Sequence, residues 1–327
     1  MSINQNNLSK ENFFMNLAFL QAKKVLGNTG ENPAVGCIIE KNNEFLSSGS
    51  TGKLGRPHAE DNAISRTKKN IKKSNLYVTL EPCTHFGKTP PCVNKIIKKK
   101  VEKVLFAVKD VDKRTCNKAA KILRKNKIKV KILINNSAIK NFYKSYYLFK
   151  KKGLPFVTAK VAISKDFFLN NKKDKWITNK FSRGRVHLMR SSHDCIITSS
   201  TTIIDDNPSY TCRIDGLQKT SPTRIILDKS LKTPINSSII KSARKFKTII
   251  FYNKINKKKI SHLKSKNVKL FHIKVSTDDN FDLKNILLKV KKLGYSRVFL
   301  ESGLILTSKF LKNGLVNVFE LFISNKE

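Results

Sequence analysis

Acidic residues are scarce: 23 Asp and Glu stand against 66 Lys and Arg, a formal net charge of +43 over 327 residues. Long apolar runs are missing as well. No segment approaches the roughly 20 apolar residues needed to span a bilayer, and the opening stretch MSINQNNLSKENFFMNLAFL holds no uninterrupted apolar run of the signal-peptide kind. A soluble, cytoplasmic protein without a membrane partner is therefore expected. Cysteine is sparse too. Six in a chain of this size exclude a disulfide scaffold and fit a reducing compartment. No internal repeat at a fixed period is present, which excludes solenoids and propellers.

The basic excess raises nucleic acid as a partner, because a basic surface releases counterions from a phosphate backbone. The distribution of the lysines argues against it. They recur in both halves (KIIKKKVEK, KNKIKVKI, NKINKKKI, LLKVKKLG), mostly on polar positions and without interleaved aromatics for base stacking. A dispersed surface charge that helps attract phosphorylated small molecules is expected, with no specific nucleic-acid partner.

The length exceeds one hydrophobic core, so two domains are expected. Apolar spacing predicts a helix over 11–26, a strand over 34–40, a helix starting at His58 and a strand over 75–80. A helix through 92–100, a strand over 104–108, a helix over 118–126 and a strand over 128–134 follow. Such alternation implies a sheet with helices on both faces, an α/β fold. A helix over 138–152, ended by Gly153 and Pro155, marks the boundary between domains 1–150 and 151–327. Beyond it the alternation restarts. Strands are read at 156–164, 195–200, 223–228, 248–252, 297–302 and 318–324, and helices at 181–192, 283–294 and 305–314.

The chemistry of the first half lies in three pieces: HAE (His58, Glu60), PC (Pro82, Cys83) and Cys92. Cys83 and Cys92 enclose eight residues, whereas a zinc knuckle encloses about two to four. One imidazole and two thiolates make the three-ligand set of a hydrolytic zinc site with a fourth position for water, so His58, Cys83 and Cys92 are the expected ligands. A helix N-terminus, read at Cys92, favours thiolate over thiol. Glu60 can face the same cavity without ligating and move a proton from water to the leaving amine. This residue set is the one found in zinc nucleobase deaminases. Cys37, Cys116, Cys195 and Cys212 lack such company and are expected to be structural.

With NPAVGC (32–37), PHAE (57–60), YVTLEPCTHFGKTPPC (77–92), WIT (176–178), SSTTIIDDNPSYTCR (199–213) and ESG (301–303), the chain resembles the bifunctional riboflavin-biosynthesis deaminase/reductase family from about residue 11 onward. The resemblance implies a cytidine-deaminase-like three-layer α/β/α domain followed by a dihydrofolate-reductase-like α/β domain. It implies zinc-dependent deamination of a diaminopyrimidinone ribosylamino phosphate, then reduction of the ribosyl side chain to ribityl by NADPH. The loop THFGKTPP would shape the first pocket, with Asn32, His85 and Lys88 on the phosphorylated substrate. Ala162, Trp176, Thr202, Asp206 and the stretch from Gly303 would line the NADPH site, and Arg190, Tyr210, Arg213 and Glu301 would hold the second substrate. The family reading also allows a homo-oligomer.

Departures from the family pattern fall mostly in the second half. Phe167 stands where the family has a glycine, Asp174 where it has a serine, and the segment after Asp110 reads DVDKRTCNKAA without the family's glycines. The chain is also expected to end early, inside the second sheet. Three further readings stay open on sequence alone: a nucleic-acid deaminase of the tRNA adenosine type, a deaminase with an impaired reductase domain, or a non-catalytic, zinc-stabilised binding module, which would not need Glu60 beside the metal.

Overall fold

A computed structural model of the chain describes residues 2–87, 89–133, 137–166, 168, 179–277 and 279–324, with side chains from Lys10 onward. The chain divides into two compact units, Met1–Gly153 and Leu154–Glu327. Phe167, Asp174 and Trp176 lie outside the described residues, as does Lys88.

The first unit runs α1 (Ser2–Val25), β1 (Gly36–Lys41), β2 (Glu44–Ser50), α2 (Ala59–Arg66), β3 (Asn75–Leu80), α3 (Cys92–Lys98), β4 (Lys103–Val108), α4 (Lys118–Lys125), β5 (Lys129–Ile132), α5 (Ser137–Phe142) and α6 (Lys144–Lys152). Its five strands lie in the order β2-β1-β3-β4-β5. β1 is antiparallel to both neighbours, whereas β3, β4 and β5 are parallel. The sequence reading missed β2, because EFLSSGS has only two apolar side chains and lies at the sheet edge. Asn42 and Asn43, both at positive φ (50° and 71°), make the tight turn that folds it back onto β1.

Helices cover both faces of this sheet, and two glycines show how closely they sit. A Cβ at Gly36 would lie 1.8 Å from the Ala18 carbonyl of α1, and one at Gly49 would lie 2.1 Å from the Ala59 carbonyl of α2. Gly49 pairs with Cys37, the neighbour of Gly36, so α1 and α2 occupy opposite faces. The helix expected over 138–152 is interrupted at Tyr143, whose hydroxyl is drawn to the core by Thr79 Oγ1 (2.6 Å) and the Ala34 carbonyl (2.9 Å).

The second unit runs β6 (Phe156–Ile163), α7 (Lys180–Ser191), β7 (Cys195–Ser199), α8 (Ser200–Asp206), β8 (Thr223–Leu227), α9 (Ser238–Lys241), β9 (Thr248–Tyr252), α10 (Lys257–Ser265), β10 (Lys269–His272), α11 (Leu283–Lys292), β11 (Arg297–Leu300), α12 (Leu304–Lys312) and β12 (Val318–Ile323). Its seven strands are all parallel, in the order β10-β9-β8-β7-β11-β6-β12. Parallel strands buried on both faces read as continuous apolar runs, which is why most of them were legible. The sequence reading missed α8, α9, α10 and β10. These elements are short or lysine-rich; α10, KKKISHLKS, buries only Leu263. β12 pairs with β6 over six residues and forms the outer strand, with Phe319, Leu321 and Ile323 exposed.

Candidate active site

In the first unit, His58 is the residue before α2, Glu60 lies in the first turn of that helix, Cys83 follows β3 and Cys92 opens α3. Two helix starts therefore converge. His58 Nδ1 lies 3.3 Å from Cys92 Sγ and 3.4 Å from Cys83 Sγ, and the three donor atoms all fall within 4.8 Å of one another. Tetrahedral zinc with ordinary Zn–N and Zn–S bonds would set its nitrogen and sulfur ligands about 3.5 Å apart. The donor set and its spacing fit that ion.

The electrostatics of the cluster agree. A hydrogen bond from the Cys92 thiol, helped by His58 and the Cys92 backbone N–H, pushes the Cys83 thiol down to about 4 against the effect of burial. The same hydrogen bond, together with burial, holds Cys92 well above its ordinary value. A thiolate is the form that binds a divalent cation, so a depressed Cys83 suits a ligand. Glu60 is 4% exposed. Burial first, then the Cys83 sulfur, push its carboxyl up to about 7, with His58 opposing.

The surroundings sort the other expected residues. His85 Nδ1 meets Thr115 Oγ1 at 3.1 Å and Thr84 Oγ1 donates to the Arg114 carbonyl at 2.8 Å, so the loop between the cysteines is tied to the 114–115 segment. Asn32 is half-buried against Gly55, a glycine at φ 92° where a Cβ would lie 2.0 Å from Asn32 Nδ2.

Two contributors escaped the sequence reading. Glu81 accepts the backbone N–H groups of Asp110, Asn117 and Ala119 at 3.1–3.2 Å and thereby shapes the β4–α4 connection. Arg56 reaches from the turn before α2 to Thr89 Oγ1 and, through Nη1, to His58 Nε2 at 3.2 Å. Adjacency to PHAE was its only signal.

In the second unit, the described residues expected at NADPH gather at the C-terminal ends of three adjacent parallel strands, where open α/β sheets bind ligands. Ala162 lies near the end of β6. Thr202 and Asp206 lie on α8, directly after β7. Gly303 caps α12, just beyond β11. Hydroxyls link these turns: Ser199, Thr202 and Ser302 contact one another at 2.9–3.2 Å, and Gly303 N–H donates to Thr202 Oγ1 at 3.2 Å. A Cβ at Gly303 would meet nothing nearer than that hydroxyl at 3.8 Å, so space is open above the turn.

The residues expected on the second substrate form one cluster beside it. Arg190 Nε and Nη2 donate to the two Glu301 oxygens at 2.9 and 2.8 Å, and Nη1 donates to the Thr211 carbonyl at 3.1 Å. Tyr210 is 3% exposed, with its hydroxyl donating to the Glu301 carbonyl (3.0 Å) beside Thr198 Oγ1 (3.0 Å). Arg213 is exposed and reaches His187. The sequence reading gave no role to His187, and nothing local marks it.

Two family descriptions match the chain. The cytidine and deoxycytidylate deaminase zinc-binding region matches residues 8–108, and the RibD C-terminal domain matches residues 155–326. The fold is thus a cytidine-deaminase-like domain followed by a dihydrofolate-reductase-like domain, and the two matches imply Zn2+ for the first and NADPH for the second.

The riboflavin biosynthesis protein RibD of Aquifex aeolicus is 34% identical over 315 residues, which cover 96% of this chain and 86% of that protein. RibD of Buchnera aphidicola is 34% identical over 334 residues, covering 97% and 87%. Among solved structures, Acinetobacter baumannii RibD superposes with a TM-score of 0.82 at 28% identity, covering 98% of this chain and 88% of that one. A Thermotoga maritima protein described as a diaminohydroxyphosphoribosylaminopyrimidine deaminase/5-amino-6-(5-phosphoribosylamino)uracil reductase gives 0.82 at 27% identity, with the same coverage. The chain belongs to the RibD family. With both halves matched, neither the nucleic-acid deaminase nor the single-activity reading is favoured.

Proposed function

We propose that this chain carries out two consecutive steps of riboflavin biosynthesis: hydrolytic deamination of a diaminopyrimidinone ribosylamino phosphate in its first unit, then NADPH-dependent reduction of the ribosyl group in its second. The observation that carries the reading is the convergence of His58, Cys83 and Cys92 beside buried Glu60, in a chain whose other half matches the RibD C-terminal domain.

His58 Nδ1 and the two sulfurs would hold Zn2+. The ion, when bound, supplies the Lewis acidity that makes water a nucleophile at neutral pH. Glu60 takes a proton from the attacking water and delivers it to the departing amino group, so that a C–O bond forms, a C–N bond breaks and ammonia leaves. Asn32, His85 and Lys88 would orient the phosphorylated pyrimidine. In the second unit, Ala162, Trp176, Thr202, Asp206 and Gly303 would seat NADPH, which when bound supplies the hydride. Arg190, Tyr210, Arg213 and Glu301 would present the ribosyl carbon to it.

The partners proposed are phosphorylated small molecules, with no specific nucleic acid. All six cysteines are free, which supports a cytoplasmic setting, and among the described residues no helix is long and apolar enough to cross a membrane.

The test supplies the purified, zinc-loaded chain with the diaminopyrimidinone phosphate, follows ammonia, then adds NADPH and follows its absorbance. Ammonia release followed by stoichiometric NADPH consumption is expected. No ammonia would overturn the deaminase assignment, and ammonia without NADPH consumption would overturn the reductase assignment.

A further inference from the structure

His187 and Arg190 lie three residues apart on α7, on one helical face, and both reach the same main-chain carbonyl. Thr211 O lies 3.0 Å from His187 Nδ1 and 3.1 Å from Arg190 Nη1. Two partners bear on Nδ1: the Thr211 carbonyl, which only accepts, and the Arg213 backbone N–H, which points at it from 3.3 Å; a proton on Nδ1 satisfies the shorter contact and leaves Nε2 to accept, at the cost of the longer one. Nε2 is then left with its lone pair. Facing it at 3.3 Å is Nη2 of Arg213, a group that can only donate.

The two arginines of this cluster are not equivalent. Arg190 is spent on Glu301, which it binds with both prongs of its guanidinium. Arg213 is exposed, and among the described residues its guanidinium has His187 as hydrogen-bond partner and no carboxylate. It is the cation of the cluster whose charge is free for a ligand.

Resting on the reductase reading above, we propose that His187 is a positioning residue: its neutral imidazole aims the Arg213 guanidinium at the phosphate of the ribosyl substrate. The ordering is done before binding, so the substrate does not have to restrain a flexible arginine. The charged groups facing the imidazole are Arg190 from its own helix, Arg213 from the segment after α8 and Glu301 from the end of β11. Burial, then Arg190 and Arg213, lower the His187 pKa from 6.5, with the Thr211 carbonyl and Glu301 opposing. Acid would put a proton on Nε2, turn the acceptor into a donor and release Arg213.

The experiment uses the full chain, His187→Leu and His187→Gln. The KM for the deaminated pyrimidine phosphate is measured at saturating NADPH, and its Kd is measured calorimetrically without cofactor. His187→Leu should raise both about tenfold while kcat changes less than about twofold. Glutamine can donate to Thr211 and accept from Arg213, so His187→Gln should stay within about twofold of wild type. As pH falls from the ordinary histidine value of 6.5 into the acid range, where the lowered pKa places the protonation of His187, KM should rise more steeply for wild type than for His187→Gln. The nearly unchanged kcat at saturating substrate reports that the second unit, which carries His187, is folded; if His187→Leu does not fold, the His187→Gln pH comparison decides alone. The proposal is overturned if His187→Leu behaves as wild type, if glutamine is as damaging as leucine, or if the two pH profiles run parallel. A wild type that neither binds nor reduces the substrate would instead overturn the reductase reading beneath it.

Discussion

The Arg190 guanidinium and the Glu301 carboxylate, 111 residues apart in the chain, meet in a two-pronged ion pair at 2.8 and 2.9 Å. With side chains 12% and 14% exposed, the pair is largely shielded from solvent, so removing one partner leaves a charge in a poorly solvated place. Glu301→Ala should destabilise the second unit by about 3 kcal/mol. Urea denaturation followed by far-ultraviolet circular dichroism would measure it.

The same pair fixes a pH dependence. Arg190 holds the Glu301 carboxyl below its ordinary 4.5, against burial. A carboxyl with a depressed folded-state pKa contributes stability that is fully present above its unfolded value and lost as pH falls through the folded one. The wild-type unit should therefore weaken as pH drops below about 4.5, and Glu301→Ala should lack this component of the loss. Equal acid sensitivity of the two proteins would contradict the pairing.

Cys83→Ser and Cys92→Ser should each lose zinc together with ammonia release, since the remaining two donors cannot close the three-ligand set. Metal analysis of purified variants checks this. Full zinc occupancy in both would remove the cysteines from the site.

Glu60→Gln should keep its zinc and lower ammonia release by a factor of about 10² or more, because the amide cannot carry the proton from water to the leaving group. The paired measurement separates the proton-transfer role from ligation. A variant that lost zinc would make Glu60 part of the metal's support, and one with wild-type turnover would exclude it from the reaction.

Arg224 is fully buried and, among the described residues, has no carboxylate partner; its guanidinium donates to the carbonyls of Ser209, Ile239 and Phe246 and to the hydroxyls of Ser242 and Thr248. A lysine has three donors from one atom and cannot reach five acceptors spread around a planar fork. Arg224→Lys should cost at least about 2 kcal/mol, as each abandoned buried acceptor costs about 1–3. Thermal denaturation would show it, and a shift within error would mean that water takes over the vacated acceptors.

By itself the sequence determined what short stretches of chain carry. His58, Glu60, Cys83 and Cys92 announce themselves because a metal site needs particular atoms at helix starts and strand ends, and the apolar runs of buried strands are local signals. Only the tertiary structure decided which distant residues meet. β11 inserts between β6 and β7, and that strand order brings Glu301 to Arg190 and the Gly303 turn to Thr202. Likewise the folding of the loop between the cysteines brings Thr89 to Arg56, and the segment after α8 brings Arg213 to His187. Strand order is settled by how two apolar faces are buried at once and by right-handed crossovers between parallel strands, properties of the whole sheet that no window of sequence contains.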